Sequence, residues 1–174
     1  MLRVLCLGIF CLWGYEFVDV LDLKVVPFRG AELTVALREQ VAAGYAAAFG
    51  WSAEMSAADF ANEHAEFYVL LRGSEELLGF VSLHHVLDEA TVNGVFVLPE
   101  WRQQGLAGHL LAFVLEQLAA RDVVHVFLEV RALNVAARAL YASAGFEELV
   151  VRKAYYHNPV DDAVIMQKRL GEEV

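Results

Sequence analysis

The chain has 174 residues, the usual length of one domain, and a domain of this size buries roughly 70% of the surface that its unfolded chain exposes. Its 13 basic and 23 acidic residues give a net charge of −10, which disfavours direct nucleic-acid binding and favours a basic partner. A hydrophobic content of 58% excludes a disordered chain. Cys6 and Cys11 have neither the spacing of a zinc site nor the number of a disulfide scaffold, so a cytoplasmic protein without a metal is expected.

Residues 1–22 are predicted to be a hydrophobic extension, and residues 23–174 a single domain, because no repeat or linker divides them. The uncharged run at residues 4–15 resembles the apolar region of a signal peptide, but no small-residue cleavage site follows it. Glu16 ends the run before it reaches the about 20 residues of a membrane span, so membrane association is not expected. We favour an added strand or a dispensable leader, and a targeting or anchoring role is the alternative.

The domain opens with a predicted strand at residues 23–28 and a helix within residues 31–49. Ser56 and Asp59 have the spacing of a capping box, which predicts that a second helix begins at Ser56. A stripe of apolar residues at intervals of four indicates that the first helix buries one face against a core. The stripe consists of Leu33, Leu37, Val41 and Tyr45.

Three strands at residues 67–71, 77–86 and 91–98 form a predicted antiparallel meander, because short turn-forming segments separate them. The chain then turns through residues 102–108 into a helix with apolar residues at helical spacing. Residues 123–130 follow as a strand that is apolar on both faces. A strand, a long helix and a buried strand in this order predict a right-handed crossover to a parallel neighbour.

Asn134 is predicted to cap a short helix that ends at Gly145, and strands at residues 146–156 and 163–169 follow it. The expected fold class is therefore mixed α/β. It consists of a mostly antiparallel sheet with one parallel central junction and helices on both faces. Where parallel strands diverge beside the N-terminus of a helix, a crevice for a ligand is expected.

The turn before the long helix is a candidate phosphate site. Its small residues leave backbone N–H groups uncovered, and these groups and the helix dipole both favour an anion. The turn lacks the Gly-Lys-Ser/Thr of a nucleotide P-loop and the third glycine of the dinucleotide fingerprint, which disfavours ATP and NAD. A glycine turn that merely starts a helix is the alternative. The residues concerned are Gln103, Gln104, Gly105, Leu106, Ala107 and Gly108.

Glu129 is a candidate catalytic residue because it interrupts a strand that otherwise reads as buried. Strand alternation places it on one face with His125, Phe127 and Arg131. A buried carboxylate costs several kcal/mol unless it is paired, so a purely structural position favours Val or Thr. The alternative is that Glu129 lies at the solvent end of the strand and pairs with Arg131.

Tyr141 is a second candidate. Asn134 and Tyr141 are seven residues apart and therefore share a helix face with Arg138, which is expected to point into the crevice. A plain core aromatic residue is the alternative for Tyr141. At least one of Tyr155 and Tyr156 is expected to be exposed and to line a substrate groove, with an ordinary edge-strand aromatic residue as the alternative.

Several motifs in order resemble the GNAT superfamily of acetyl-CoA-dependent N-acetyltransferases. Residues 102–107, Arg-Gln-Gln-Gly-Leu-Ala, resemble the phosphate loop of that family, Gln/Arg-x-x-Gly-x-Gly/Ala. Further segments between residues 78 and 166 are similar to RimI-type enzymes, which acetylate the N-terminal alanine of a small-subunit ribosomal protein. These segments are residues 87–91, 128–132 with Asn134, 139–141, 145–147 and 152–156.

The resemblance implies acetyl-CoA as the acetyl donor and a protein N-terminal α-amine, that of a basic ribosomal protein, as the acceptor. It implies Glu129 as the general base and Tyr141 as the general acid. Two departures are Leu133, where the family usually has a small polar residue, and the extra leader before Leu23. The cofactor contacts implied are the backbone of Val95, Phe96 and Val97, then residues 103–108, and Asn134.

The chemistry of these residues agrees with an acetyl transfer. A peptide α-amine has a pKa of about 8, so a carboxylate with a raised pKa removes its proton near neutral pH, directly or through water. The alternatives are a GNAT enzyme that acetylates a small-molecule amine or a lysine, and a CoA-binding regulatory module without turnover. A membrane-tethered interaction protein that uses the N-terminal run is a third.

Overall fold

The computed structural model describes residues 22–171, and within them the chain forms a single mixed sheet. Its strands are β1 (Leu23–Arg29), β2 (Ala65–Arg72), β3 (Glu76–Val86), β4 (Glu89–Val97), β5 (His125–Arg131), β6 (Glu147–His157) and β7 (Val160–Arg169). Their order is β1-β2-β3-β4-β5-β7-β6, and every neighbouring pair is antiparallel except β4 and β5. The predicted mostly antiparallel sheet with one parallel central junction is confirmed. The extension predicted at residues 1–22 lies outside the described residues except for Asp22.

The helices between the strands are α1 (Val35–Phe49), α2 (Ala53–Ala61), α3 (Leu106–Ala119) and α4 (Val135–Ser143). The side chain of Thr34 caps α1 by accepting a hydrogen bond from the Leu37 N–H at 3.2 Å. The helix therefore begins at Val35, after a short 3₁₀ turn at Gly30–Glu32, and not at residue 31. A side-chain cap decides this start because it satisfies a backbone donor that the first turn leaves without a partner.

The predicted start of α2 at Ser56 is wrong. Ser52 caps this helix by accepting from the Met55 N–H at 3.3 Å, so α2 begins one turn earlier. Ser56 and Asp59 instead lie buried inside the helix. The carboxylate of Asp59 accepts a hydrogen bond from the Tyr45 hydroxyl at 2.6 Å, and this pairing permits its burial.

The two faces of the sheet bury separate cores, which confirms the prediction of helices on both faces. Helix α1 packs on one face, and α3 and α4 pack on the other. Burying one large aliphatic or aromatic side chain contributes roughly 1.5–3 kcal/mol, so a buried stripe of apolar side chains stabilises a helix more than its intrinsic helix propensity does. The stripe predicted for the first helix is buried at all four positions, Leu33, Leu37, Val41 and Tyr45.

The parallel junction of β4 and β5 opens towards one end. The parallel register runs from Glu89 opposite His125 to Val92 opposite Leu128, while β4 continues to Val97. Asn93 is an extra residue in β4, because Leu83 of β3 faces Val92 whereas Ser82 faces Gly94. A β-bulge bends its strand, so β4 turns away from β5 at the end of their shared register. The end of the pairing between β4 and β5 is the place where the order of elements predicts a crevice.

Candidate active site

The backbone of β4 forms one wall of the opening. The side chain of Phe96 is buried in the core below α1, and Val95 packs against the opposite core, so the backbone between them faces the opening. The carbonyl of Val97 accepts a hydrogen bond from Arg102 Nε at 3.0 Å. This bond ties the end of β4 to the turn before α3.

That turn has the geometry of a backbone anion site. Gln103 and Gly105 adopt positive φ angles of 60° and 77°, and the side-chain Nε2 of Gln104 donates to the Glu100 carbonyl at 3.3 Å. Gly105 is the N-cap residue of α3, and no side chain of the described residues caps that end. The N–H groups of Leu106 and the following residues therefore remain without intrahelical partners at the positive end of the helix dipole. Ala107 and Gly108 complete this first turn, half-buried, with Leu140 of α4 near Gly108.

Glu129 lies just past the last residue of β5 that pairs with β4, beside the opening. The expectation that it is buried is wrong, because the face of β5 that carries its side chain has little cover and the residue is exposed. Its carboxylate is nonetheless paired on both oxygens. Arg152 donates to Oε2 at 3.2 Å, and the Tyr156 hydroxyl donates to Oε1 at 3.0 Å.

The alternative interpretation paired Glu129 with Arg131, and this pairing is not found. The guanidinium of Arg131 lies 4.0 Å from the ring centroid of Tyr156 and donates to the carbonyl of Pro159 at 3.2 Å. Arg152 lies in the same way 3.9 Å from the ring centroid of Tyr155. Arg152 and Tyr156 thus contact the carboxylate, while Tyr155 stacks on Arg152 and Arg131 stacks on Tyr156. Tyr155 is 40% exposed, which confirms that at least one of the two tyrosines reaches the surface.

Tyr141 lies on the opposite face of the sheet from Glu129. It is 7% exposed and belongs to the core that holds Leu128 and Val130, whose side chains alternate with that of Glu129 along β5. Its ring meets Phe146 edge to face, with 6.0 Å between ring centroids. Burial raises the pKa of the Tyr141 hydroxyl to about 12, so the group stays protonated at neutral pH.

The side chains of Asn134 and Arg138 both bond to backbone groups near the start of α4. The Asn134 side chain caps α4 by accepting from the Ala137 N–H at 3.2 Å, which confirms its predicted capping role. Arg138 donates to the Ala132 carbonyl at 3.1 Å and pairs with Glu148 of β6. Arg138 therefore fastens α4 to the edge of the sheet.

The sequence did not reveal that Arg152 and Tyr156 both bind Glu129. These residues are four positions apart on β6, a spacing that places their side chains far from one another in a regular strand. The Arg-x-x-Tyr-Tyr pattern at residues 152–156 was the available signal, and it carried no information on which group the arginine meets.

Two further findings concern metal binding and membrane spans. Residues 22–171 contain no cluster of three or more His, Cys, Asp or Glu side chains placed to hold a metal ion. No helix formed by these residues is both long enough and apolar enough to cross a membrane.

Comparisons with known proteins agree with this architecture. Residues 29–146 match the family model described as "Acetyltransferase (GNAT) family". The chain is 38% identical over 121 residues to the [ribosomal protein bS18]-alanine N-acetyltransferase of Escherichia coli K12, an alignment that covers 68% of this chain and 80% of that protein.

Solved structures share the fold. The crystal structure of the ribosomal-protein-S18-alanine N-acetyltransferase from Escherichia coli aligns with a TM-score of 0.75 and 30% identity, over 87% of this chain and 97% of that one. A GNAT family acetyltransferase from Elizabethkingia anophelis with acetyl-CoA bound has a TM-score of 0.69 at 14% identity, over 85% of this chain and 98% of that one, which is a likeness of fold alone. This chain belongs to the GNAT family of acetyltransferases and is an acyltransferase enzyme.

Proposed function

We propose that the protein transfers the acetyl group of acetyl-CoA to the α-amine of the N-terminal alanine of ribosomal protein bS18. The 38% identity to the Escherichia coli enzyme named for that reaction supports this acceptor. The observation that carries the chemistry is the position of the Glu129 carboxylate, beside Leu128, where β5 parts from β4. A carboxylate at that point meets the amine of an acceptor that enters the opening from the exposed face.

The start of α3 suits the pyrophosphate of acetyl-CoA. The N–H groups of residues 106–108 have no side-chain cap, and small residues at positions 105, 107 and 108 allow a ligand to approach the backbone. The same segment supplies Gln103 and Gln104 as polar side chains. Asn134 uses its side-chain oxygen for the α4 cap, so its NH₂ group is the part that would bind the cofactor arm.

The wall formed by β4 suits the acetyl and pantetheine end. The backbone of residues 95–97 lies beyond the register shared with β5, and main-chain groups there would form hydrogen bonds with an amide-bearing arm. Acetyl-CoA, when bound, supplies a thioester that is activated towards amines. The chain's part is to hold this group against the acceptor, and such positioning supplies a large share of the rate.

Glu129 is the proposed general base. It takes a proton from the acceptor amine, directly or through one water molecule, so that the amine is neutral when it attacks. The hydrogen bonds from Arg152 and Tyr156 keep the carboxylate in one orientation. The hydroxyl of Tyr156 serves as a donor throughout, since burial and the hydrogen bond to Glu129 raise its pKa to about 12.

Tyr141 is the proposed partner of the leaving sulfur. A thiol has a reference pKa of about 8.5, so a phenol with a pKa of about 12 is the weaker acid. Its contribution is therefore a hydrogen bond that strengthens as negative charge develops on the sulfur, in addition to any transfer of its proton. Tyr141 shares one core with residues of α3, the helix whose start is the proposed pyrophosphate site, and this supports its role.

The proposed partner is the basic N-terminal segment of a ribosomal protein, and the chain's net charge of −10 favours its approach. The proposed substrate implies that the protein acts in the cytoplasm. The function needs no direct contact with nucleic acid and no membrane.

Mass spectrometry tests the acceptor. The purified protein is incubated with acetyl-CoA and three peptides of equal length and charge, and products are mapped by tandem mass spectrometry. One peptide begins with Ala, one begins with a bulky residue, and one has a blocked α-amine and free lysines. We expect the Ala peptide to be acetylated far faster than the others. Preferential modification of lysine side chains, polyamines or aminoglycosides would contradict the proposal and leave the family assignment alone.

A further inference from the structure

Two side chains of β6 reach one carboxylate, although they are four residues apart. Arg152 and Tyr156 bind the two oxygens of Glu129 at 3.2 and 3.0 Å. A regular strand rises about 3.3 Å per residue, so residues four apart are separated by about 13 Å. The two side chains meet on Glu129 only because the strand between them is not regular.

The irregularity is a bulge of two extra residues. Arg152 faces Ala163 of β7 and Tyr156 faces Asp161, so four steps along β6 correspond to two steps along β7. The bulge contains Ala154, whose φ of 51° lies in the left-handed region. A residue other than glycine is uncommon in that region and persists only where surrounding contacts impose it.

Asp162 provides those contacts. Its Oδ1 accepts a hydrogen bond from the Ala154 N–H at 2.9 Å, and its Oδ2 pairs with Lys153 Nζ at 2.8 Å. The hydrogen bond from Lys153, followed by that from Ala154, lowers the pKa of Asp162. The carboxylate therefore stays ionised and continues to accept both bonds at neutral pH.

We propose that Asp162 is a positioning residue for the acetyl transfer. By fixing the bulge at residues 153–155, it brings Arg152 and Tyr156 together on Glu129 and so aims the general base at the opening. The inference rests on the proposed function, in which Glu129 is the base. The Asp162 carboxylate bonds to Ala154 and Lys153 and not to Glu129, so its proposed effect reaches the reaction through the orientation of the Glu129 carboxylate.

The kinetic test compares Asp162→Ala with Asp162→Asn and Lys153→Ala. The alanine variant loses both bonds and is expected to lower kcat about 10²-fold, the cost that a misplacement of about 1 Å can bring, with the KM for acetyl-CoA unchanged. Asn retains a side-chain oxygen that can accept from Ala154 and is expected to recover most of kcat. Lys153, which is 81% exposed at its side chain, contributes only the ion pair, and its loss is expected to change kcat less than threefold.

A readout without turnover separates this inference from the proposed function. The ¹³Cζ resonance of Tyr156, assigned with Tyr156→Phe, is followed by NMR from pH 9 to pH 12. In the unsubstituted protein the pKa of Tyr156 is raised to about 12 by burial and by Glu129. In Asp162→Ala it is expected to move towards 10, because the tyrosine leaves the carboxylate, while Lys153→Ala leaves it in place.

The outcomes are distinct. A folded Asp162→Ala variant with unchanged kcat and an unchanged Tyr156 titration would overturn the inference. A thermal unfolding curve establishes whether each variant is folded. If the alanine variant is not folded, Asp162→Leu takes its place, because leucine keeps about the same side-chain size but has no oxygen to accept from Ala154, and the same loss of kcat and the same shift of the Tyr156 titration are expected. If the unsubstituted protein acetylates no Ala peptide but the Tyr156 titration shifts as expected, the proposed function fails while Asp162 remains the residue that fixes the bulge.

Discussion

Replacing Glu129 with Gln tests the assignment of the general base. Glutamine keeps the shape of the side chain and an oxygen that can accept from the Tyr156 hydroxyl, but it cannot take a proton. The pair with Arg152 is partly exposed, with 48% and 30% of the two side chains accessible, and such pairs contribute about 0–1 kcal/mol to stability. The variant is therefore expected to fold normally and to lose most of its activity.

The size of the loss distinguishes two roles for Glu129. An α-amine with a pKa of about 7.8 is about one-seventh neutral at pH 7, so a base that only shifts this equilibrium gains at most about sevenfold. A base that removes the proton as the bond to carbon forms contributes typically 10²- to 10⁴-fold. A loss above about 10²-fold at pH 7 assigns Glu129 to the second role. Raising the pH to 9 makes the amine neutral, and this is expected to increase the activity of the variant only about sevenfold.

The assay measures initial rates of acetylation of an Ala-starting peptide between pH 6 and pH 9, for the unsubstituted protein and the variant, with saturating acetyl-CoA. Calorimetric titration with CoA checks that the donor site of the variant is intact. Turnover close to that of the unsubstituted protein at pH 7 would refute the reasoning. Direct attack by an already neutral amine would then be the better account of the reaction.

Three further outcomes follow from the structure. Gly105→Val is expected to weaken acetyl-CoA binding at least about tenfold in calorimetry, since a β-branched residue is strained at a φ of 77° and covers the amides of α3. Unchanged affinity would mean that the turn only starts a helix. Tyr141→Phe is expected to lower kcat about 10- to 10²-fold, which corresponds to the free energy of one hydrogen bond to a charged group. A kcat equal to that of the unsubstituted protein would show that Tyr141 takes no part in the reaction. Burial raises the pKa of Tyr141 from 10.0 to about 12, so the folded protein binds this proton more tightly than the unfolded chain. Stability is then complete below pH 10 and falls by about 1.4 kcal/mol per pH unit up to pH 12, and urea unfolding should show a shallower fall for Tyr141→Phe.

The order and type of the elements could be predicted because each has a local signal. The stripe from Leu33 to Tyr45 repeats with the period of a helix, and all of it is buried. Asn134 and Gly145 mark the two ends of α4 through a side-chain cap and a positive φ of 86°. Such signals depend on residues close in sequence, and tertiary contacts reinforce them here.

The start of α2 could not be predicted because two serines compete for it. Ser52 and Ser56 are one helical turn apart, and each is followed by residues compatible with a first turn. Asp59, which a capping box at Ser56 would use, is instead buried against the hydroxyl of Tyr45 and the ring of His84, 2.6 Å from each. These contacts join residues 14 and 25 positions away, beyond the reach of a local pattern.

The environment of Glu129 was mistaken for a related reason. The almost continuous apolar run at residues 123–130 reads as a strand covered on both faces. Leu128 and Val130 do face a core, but the side of β5 that carries Glu129 has little cover. The partner of the carboxylate comes from β6, which takes the edge position beyond β7. The bulge that delivers Arg152 and Tyr156 has no signature in the sequence apart from Asp162, whose role appears once the register of β6 and β7 is known.

The arrangement of Glu129 and Tyr141 on opposite faces of the sheet constrains the proposed reaction. Alternation along β5 directs Glu129 to the exposed face and Leu128 and Val130 to the core that contains Tyr141. Two groups separated by a sheet act on the same atoms only where the sheet is open, and within residues 22–171 that is where β4 leaves β5 after Val92. A reaction that uses both groups therefore takes the acceptor from the open face and the acetyl donor from the face of α3 and α4. The bulge at Asn93, which creates the opening, is then as necessary to the chemistry as either side chain.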